Sequence, residues 1–135
     1  QAGHVGHIIV DPGGELCGCG SRGCLETLAS GPALKRIFGI DPENATLEMK
    51  HFCAEKIAQG IEIVTALLDI RLVTIGGSVA LGFGDEFFNH VQKTYDEMAQ
   101  LEFVKGLKVV PAGLGENGGL ISAARVGKLG YRGVL

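Results

Sequence analysis

Three of the four cysteines of the chain lie within eight residues of one another, in a glycine-rich segment that also carries two of its four histidines. The segment, HVGHIIVDPGGELCGCGSRGCLE, runs over residues 4–26. A disulfide between Cys17 and Cys19 would close a strained ring, and any local pairing of Cys17, Cys19 and Cys24 leaves one thiol over. A metal ion bound by three thiolates and one imidazole, as in Cys3His zinc sites, would use all three thiols of this segment. The segment therefore predicts a zinc loop, with a reduced, metal-free loop as the alternative.

Either His4 or His7 could supply the fourth ligand. The sequence VGHIIVD over residues 5–11 predicts a strand, on which side chains three residues apart point to opposite faces. Only one of the two histidines could then reach the thiols. Four protein ligands leave no open position on a tetrahedral ion, so the predicted zinc is structural. Arg22 is expected to offset the negative charge of the site, and Cys53 is expected to be a core residue.

Composition and charge exclude several classes of protein. The chain has 135 residues, 46% of them hydrophobic and 20% charged, as expected for one globular domain or half of a larger protein. Its net charge of −3, without a Lys/Arg run, disfavours nucleic-acid binding. No apolar run is long enough to span a bilayer, and the first residues do not predict a signal peptide. A cytoplasmic location is expected, where clustered cysteines are metal ligands more often than disulfides.

Strand and helix patterns alternate along the chain. Strands are predicted at 5–11, 71–77 and 107–113, and the principal helices at 46–69, 85–99 and 116–128. Short helical segments are predicted at 25–30 and 32–38. This alternation indicates the α/β class.

Two glycine-rich turns are candidate ligand contacts. Gly76 and Gly77 end a predicted strand, so that a ligand could approach the backbone beside Ser78, although a plain strand-to-helix turn explains them equally well. The turn lacks the lysine and spacing of a P-loop. In the second turn, 113–119, Asn117 could cap a helix. The favoured interpretation of this turn is close packing, with Ala123 and Ala124 against the sheet.

The cysteine segment resembles the signature of the ROK family (repressors, open reading frames and kinases). Gly6-His7 is followed after nine residues by Cys-Gly-Cys-Gly at 17–20, and after two more by Gly-Cys-Leu-Glu at 23–26. Segments 28–34, 73–80 and 111–124 resemble later parts of the family. The resemblance therefore covers most of the chain.

The resemblance implies an α/β half of the actin-like ATPase (ribonuclease H-like) fold with a zinc-binding loop at 7–24. It assigns the zinc to four ligands: His7, Cys17, Cys19 and Cys24. It also implies that Glu26 and His7 hold sugar hydroxyls, and that adenine nucleotide lies near Gly76, Gly77 and Ser78. Kinases of the family usually carry Glu three residues before the zinc histidine. Here that position is His4, either another sugar contact or an ordinary strand histidine.

The resemblance further implies that residues 1–135 form the C-terminal sugar- and zinc-binding half-domain of an ATP-dependent hexose kinase of the glucokinase kind. The phosphate-binding loop and catalytic Asp of the family's first half are absent from this sequence. ATP and Mg²⁺ would act in the full-length protein, which is expected to be a homo-oligomer. One alternative is the sugar-sensing effector domain of a ROK-type repressor. A dimerisation module stabilised internally by zinc, with no surviving ligand site, is a further alternative.

Overall fold

The computed structural model describes residues 3–129 as a mixed α/β arrangement. Short 3₁₀ turns separate several of its helices and strands. The helices and strands, in chain order, are α1 (Glu26–Ala29), α2 (Gly31–Phe38), α3 (Leu47–Leu68), β1 (Leu72–Ile75), α4 (Ser78–Phe83), α5 (Asp85–Met98), β2 (Lys108–Pro111) and α6 (Gly118–Leu129).

Strands β1 and β2 pair in parallel, with Leu72 opposite Lys108 and Ile75 opposite Pro111. Parallel neighbours need a crossover connection, which α4 and α5 supply here. Helix α5 packs against both β2 and α3. The carboxyl ends of the two strands consequently meet at one edge, where the glycine-rich turns follow them.

The core lies mainly between α3 and α5. Thr46 caps α3 by accepting a hydrogen bond from the Met49 amide, and Asp69 ends the helix in a left-handed conformation. The Tyr95 hydroxyl in α5 donates to the Val104 carbonyl at 2.6 Å. Cys53 is almost fully buried in this core, so its assignment as a core residue is confirmed. The two long helices predicted from periodicity are present within a residue or so of their expected bounds.

The strand predicted at residues 5–11 is wrong. Val5–His7 form a 3₁₀ turn, and the rest of the segment makes only a single bridge, between Ile9 and Cys24. The amides of Val10 and Asp11 both donate to one acceptor, the carbonyl of Gly23. Since these backbone groups bond to the cysteine loop, they are not available for a regular strand ladder.

The close-packing interpretation of the second glycine turn is also wrong. Ala123 and Ala124 are exposed, and none of the described residues of α6 is buried. A Cβ atom added at Gly113 or Gly119 would meet nothing within 4 Å. Asn117 lies inside a 3₁₀ turn, Gly115–Asn117, that precedes the helix. Gly113 and Gly119 therefore face open space rather than the sheet, and a Cβ atom at Gly118 would contact only Leu114 of the same turn, at 3.4 Å.

Helix α4 was not predicted from the sequence. It begins directly after Gly77, whose φ of 100° lies in a region that residues with a side chain rarely adopt. The paired glycines thus turn the chain sharply from β1 into a six-residue helix. Among residues 3–129, none of the helices has both the length and the apolar character that crossing a bilayer requires.

One ion pair between α3 and α5 should make stability depend on pH. His51 Nε2 lies 2.6 Å from Glu86 Oε1, and this hydrogen bond holds the pKa of Glu86 below its ordinary value of 4.5. A carboxyl with a lowered pKa stabilises the fold fully above its unfolded pKa and loses that contribution as the pH falls through the folded pKa. In the Glu86→Gln variant, the free energy of unfolding should therefore depend less on pH below about pH 4.5 than it does in the wild type.

The effect should be small because Glu86 is exposed to solvent. Chemical denaturation of the wild type and of Glu86→Gln between pH 3 and pH 7 would measure it. Glu48→Gln, in the first turn of α3, is the matched control. If the free energy of unfolding varied with pH in the same way for the wild type and for Glu86→Gln, the prediction would be contradicted.

Candidate metal centre

The structure brings one histidine and three cysteines together. The ligand atoms of His7, Cys17, Cys19 and Cys24 all lie within 4.8 Å of one another. His7 Nδ1 is 3.6 Å from Cys17 Sγ, and Cys19 Sγ is 3.6 Å from Cys24 Sγ. Cys17 and Cys24 are buried, whereas Cys19 is exposed. Four donors thus converge on one point at the surface of the protein.

Two of these distances match those expected in a tetrahedral zinc site. Zn–S bonds of about 2.3 Å and Zn–N bonds of about 2.0 Å give S···S and S···N separations of about 3.8 and 3.5 Å in a tetrahedron. The two 3.6 Å separations are close to those values. Three thiolates with one imidazole are also a donor set that zinc prefers. His7, Cys17, Cys19 and Cys24 would hold the ion and leave no position for water or substrate.

The backbone of the loop is built for this convergence. The Cys17 amide donates to the Ser21 carbonyl at 2.7 Å and the Gly20 amide to the Cys17 carbonyl at 2.9 Å, so the chain reverses between Cys17 and Cys24. Gly23 has a φ of 69°, and a Cβ atom there would lie 1.5 Å from the Asp11 carbonyl oxygen. Only glycine fits this close approach, which places the next residue, Cys24, beside His7.

The thiols of the cluster differ in how readily they ionise. A hydrogen bond from the Ser21 backbone, with further ones from Cys17 and Cys24, lowers the pKa of Cys19 to about 7. Burial, together with the neighbouring thiols, raises the pKa of Cys24 to about 12. Metal ligation requires thiolates, so binding a cation would release protons from this cluster.

The two histidines lie on the same side of the chain, which corrects the expectation from the sequence. In a 3₁₀ helix, residues three apart eclipse each other rather than pointing to opposite faces. The rings of His4 and His7 accordingly stack with their centroids 5.9 Å apart and their planes inclined by 30°. His7 contacts the thiol cluster, and His4 lies beside it.

Glu26 adjoins the cluster. It is the first residue of α1, its Oε1 lies 3.8 Å from Cys17 Sγ, and its carboxylate is exposed. A Cβ atom added at Gly6 would lie only 3.6 Å from Glu26 Cβ, so the Gly6-His7 turn packs directly on this side chain. Arg22 Nη1 lies 3.5 Å from the Gly14 carbonyl, and its role in offsetting the charge of the site stays a prediction.

Both glycine-rich turns line one cavity of about 750 Å³ at the carboxyl ends of β1 and β2. Gly76, Gly77 and Ser78 form part of its wall, opposite the turn from Gly113 to Gly119. Sequence reasoning favoured close packing over ligand binding for the second turn. The available signal was its position after a predicted strand, because ligands of parallel α/β sheets bind where the strands end.

The chain resembles known proteins over nearly all its described residues. It is 34% identical to an N-acetylmannosamine kinase of Haemophilus influenzae over 91% of this chain and 44% of that protein. A Streptomyces griseus ROK family glucokinase, solved with glucose and AMPPNP, superposes with a TM-score of 0.82 at 27% identity, covering 96% of this chain and 52% of that one.

A ROK family transcriptional regulator, a homologue of the E. coli MLC protein, superposes with a TM-score of 0.68 over 81% of this chain and 34% of that one. Its 24% identity makes this a likeness of fold. The chain spans about half the length of the curated relatives that it matches. A sequence model of the ROK family matches residues 1–128, which include the cysteine loop and both glycine turns. The chain therefore belongs to the ROK family.

Proposed function

We propose that this chain is the sugar- and metal-binding half-domain of an ATP-dependent sugar kinase. The observation that carries the proposal is the convergence of His7 with the three loop cysteines, immediately beside the Glu26 carboxylate. The similarity to an N-acetylmannosamine kinase and a glucokinase supports a sugar as the substrate. The metal is proposed to be a structural zinc ion that fixes the position of these polar side chains.

Glu26 and His7, with His4 beside them, are proposed to bind the hydroxyl groups of the sugar. A carboxylate accepts hydrogen bonds from hydroxyls, and an imidazole can donate or accept one depending on its tautomer. If Nδ1 of His7 ligates the metal, its Nε2 carries the proton and is left to donate. His4 stacks near His7 and could contact the same ligand. The metal would then orient a substrate contact without touching the reacting atoms.

The cavity between the glycine turns is proposed to bind ATP. Gly76, Gly77 and Ser78 form one wall, and the absence of side chains on the glycines lets a ligand lie against the backbone. None of the described lining residues is Lys or Arg. The charge of the phosphates would therefore be neutralised by Mg²⁺ and by groups outside this cavity. We assign no catalytic base to this chain.

Titration calorimetry with N-acetylmannosamine and with glucose would test the proposal. We expect the metal-loaded chain to bind one of the two sugars. Glu26→Gln should weaken that binding by about tenfold or more, because the neutral amide replaces a charged acceptor. The variant should retain its metal, since Glu26 is not a ligand. Metal content measured on the same sample would verify this.

Glu15→Gln is the matched control, because Glu15 lies in the same loop but pairs with Arg36. Its sugar affinity should equal that of the wild type. Absence of sugar binding by a metal-loaded chain would refute the proposed sugar site. Equal affinities for the wild type and Glu26→Gln would refute the role of Glu26.

A sugar-sensing effector domain is the second candidate function. It is favoured by His4, which stands where kinases of the family usually carry Glu and which offers fewer acceptor positions than a carboxylate. Titration with AMPPNP separates the two functions. Binding of the nucleotide in the glycine-lined cavity would support the kinase, whereas sugar binding without nucleotide binding would support the sensor.

A further inference from the structure

Helix α4 separates two cavities. Its first residue, Ser78, lines both the cavity of about 750 Å³ between the glycine turns and a second cavity of about 440 Å³. Leu81 lines the first cavity as well, whereas Val79 and Gly82 line the second. A displacement of this helix would therefore change the shape of both cavities.

Helix α4 is too short to hold its position by itself. It has six residues, and no side chain caps its first turn. Only Phe83 of its residues is buried, with its ring edge-on to that of Phe87 and 5.7 Å between the two centroids. The carbonyls of its last turn have no partner within the helix. The place of α4 in the fold thus depends on groups that neighbouring elements supply.

Lys50, in the first turn of α3, supplies such a group. Its Nζ donates to the Phe83 carbonyl at 3.0 Å, and the ammonium lies 6.0 Å from the centroid of the Phe83 ring. A cation is favourable at the carboxyl end of a helix, where the unpaired carbonyls carry partial negative charge. The half-buried side chain of Lys50 thus crosses from one helix to the end of another.

The next residue of α3 holds the other side of the same corner. His51 Nε2 bonds to Glu86 in the first turn of α5, and Gly84, with a φ of 70°, joins α4 to α5. Consecutive residues of α3 therefore fix the chain before and after Gly84. Of the two, Lys50 acts on α4, the helix that lines the cavities.

We propose that Lys50 is a positioning residue for nucleotide binding. Its bond to the Phe83 carbonyl holds α4 where Ser78 and Leu81 form a wall of the cavity between the glycine turns. Lys50 is not among the described residues that line either cavity, so it acts through α4 and contacts no ligand itself. The inference rests on the proposed binding of ATP in that cavity.

Titration calorimetry of the full chain with AMPPNP and Mg²⁺ tests this role. Lys50→Met removes the ammonium and keeps an unbranched side chain. The nucleotide should bind this variant about tenfold more weakly than the wild type, because α4 is then in place in a smaller fraction of molecules. Lys50→Arg retains a charged donor and should restore most of the affinity.

The affinity for sugar separates positioning from general damage to the fold. The proposed sugar contacts lie beside the cysteine loop, so Lys50→Met should bind N-acetylmannosamine or glucose as the wild type does. Lys56→Met is the matched control for the nucleotide titration. The Lys56 ammonium lies 5.6 Å from the centroid of the Phe52 ring, so this change in α3 removes a similar aromatic contact but no bond to α4. Its nucleotide affinity should equal that of the wild type.

The outcomes distinguish this inference from the proposed function. If the wild type binds AMPPNP and Lys50→Met binds it equally well, the role of Lys50 is refuted while the proposed ATP site stands. An equal loss of nucleotide and sugar affinity in Lys50→Met would also overturn the role, because it would indicate a general loss of structure. If the wild type binds no AMPPNP, the proposed ATP site and this inference both fail.

Discussion

Cys24→Ser should release the proposed zinc ion and unfold the segment from His4 to Glu26. Cys24 is fully buried, and its Sγ lies 3.6 Å from Cys19 Sγ and 3.6 Å from the His7 carbonyl. Serine leaves three ligands for the ion and a hydroxyl in a site built for a thiolate. Since metal binding contributes to folding free energy, we expect a loss of at least about 3 kcal/mol in the free energy of unfolding.

Cys53→Ser is the matched control for this experiment. Cys53 is equally buried but lies in α3, with its Sγ 3.8 Å from the Ala29 carbonyl. The substitution removes packing contacts of the sulfur atom and places a hydroxyl in the core, but it should leave the metal content unchanged. Two measurements distinguish the variants. Mass spectrometry gives the amount of metal bound per chain, and hydrogen exchange reports whether residues 4–26 remain folded. The same metal content in Cys24→Ser as in the wild type would disprove the assignment of the ligands.

Gly23→Ala should disrupt the cysteine loop without removing any ligand. The new Cβ atom would lie 1.5 Å from the Asp11 carbonyl oxygen and 2.4 Å from its carbon, so the backbone itself would have to move. The residue also has a positive φ, which adds backbone strain for any side chain. We expect the free energy of unfolding to fall by at least about 3 kcal/mol, with metal affinity reduced as well.

Gly20→Ala separates steric overlap from backbone strain. Gly20 has a φ of 92°, but a Cβ atom there would meet nothing within 4 Å. It should therefore cost only about 1 kcal/mol and retain the metal. Urea denaturation of both variants, with and without a chelator, measures the difference. If the two variants were equally stable, the close contact of Gly23 with Asp11 would not be what shapes the loop.

The sequence was most informative where the signal is local or strongly periodic. The spacing of Cys17, Cys19 and Cys24 predicted the cluster, because ligands a few residues apart in a glycine-rich loop can converge with little help from the rest of the fold. Helices α3 and α5 were predicted because their apolar positions repeat over many turns. The residue-level choice of His7 over His4 came from the family resemblance and not from geometry.

Predictions failed where distant segments decide the structure. The pattern of residues 5–11 predicts a strand. In the structure, however, the amides of Val10 and Asp11 donate to the carbonyl of Gly23, whose position depends on the fold of the loop. The turn at 113–119 lines the same cavity as Gly76 and Gly77 only because β1 and β2 are parallel neighbours. Neither hydrogen-bond partners nor strand order can be read from a local pattern.

Protein groups fill every coordination position of the proposed metal site. The site is therefore suited to hold a metal ion that serves as a spectroscopic reporter. With all four positions taken by protein groups, cobalt(II) could replace zinc in the same tetrahedron without gaining a solvent ligand. Its visible absorption would then respond to the geometry of the imidazole and the sulfurs alone. A change in colour on adding carbohydrate would reveal a rearrangement of these four ligands, among which His7 is the one proposed to contact the sugar.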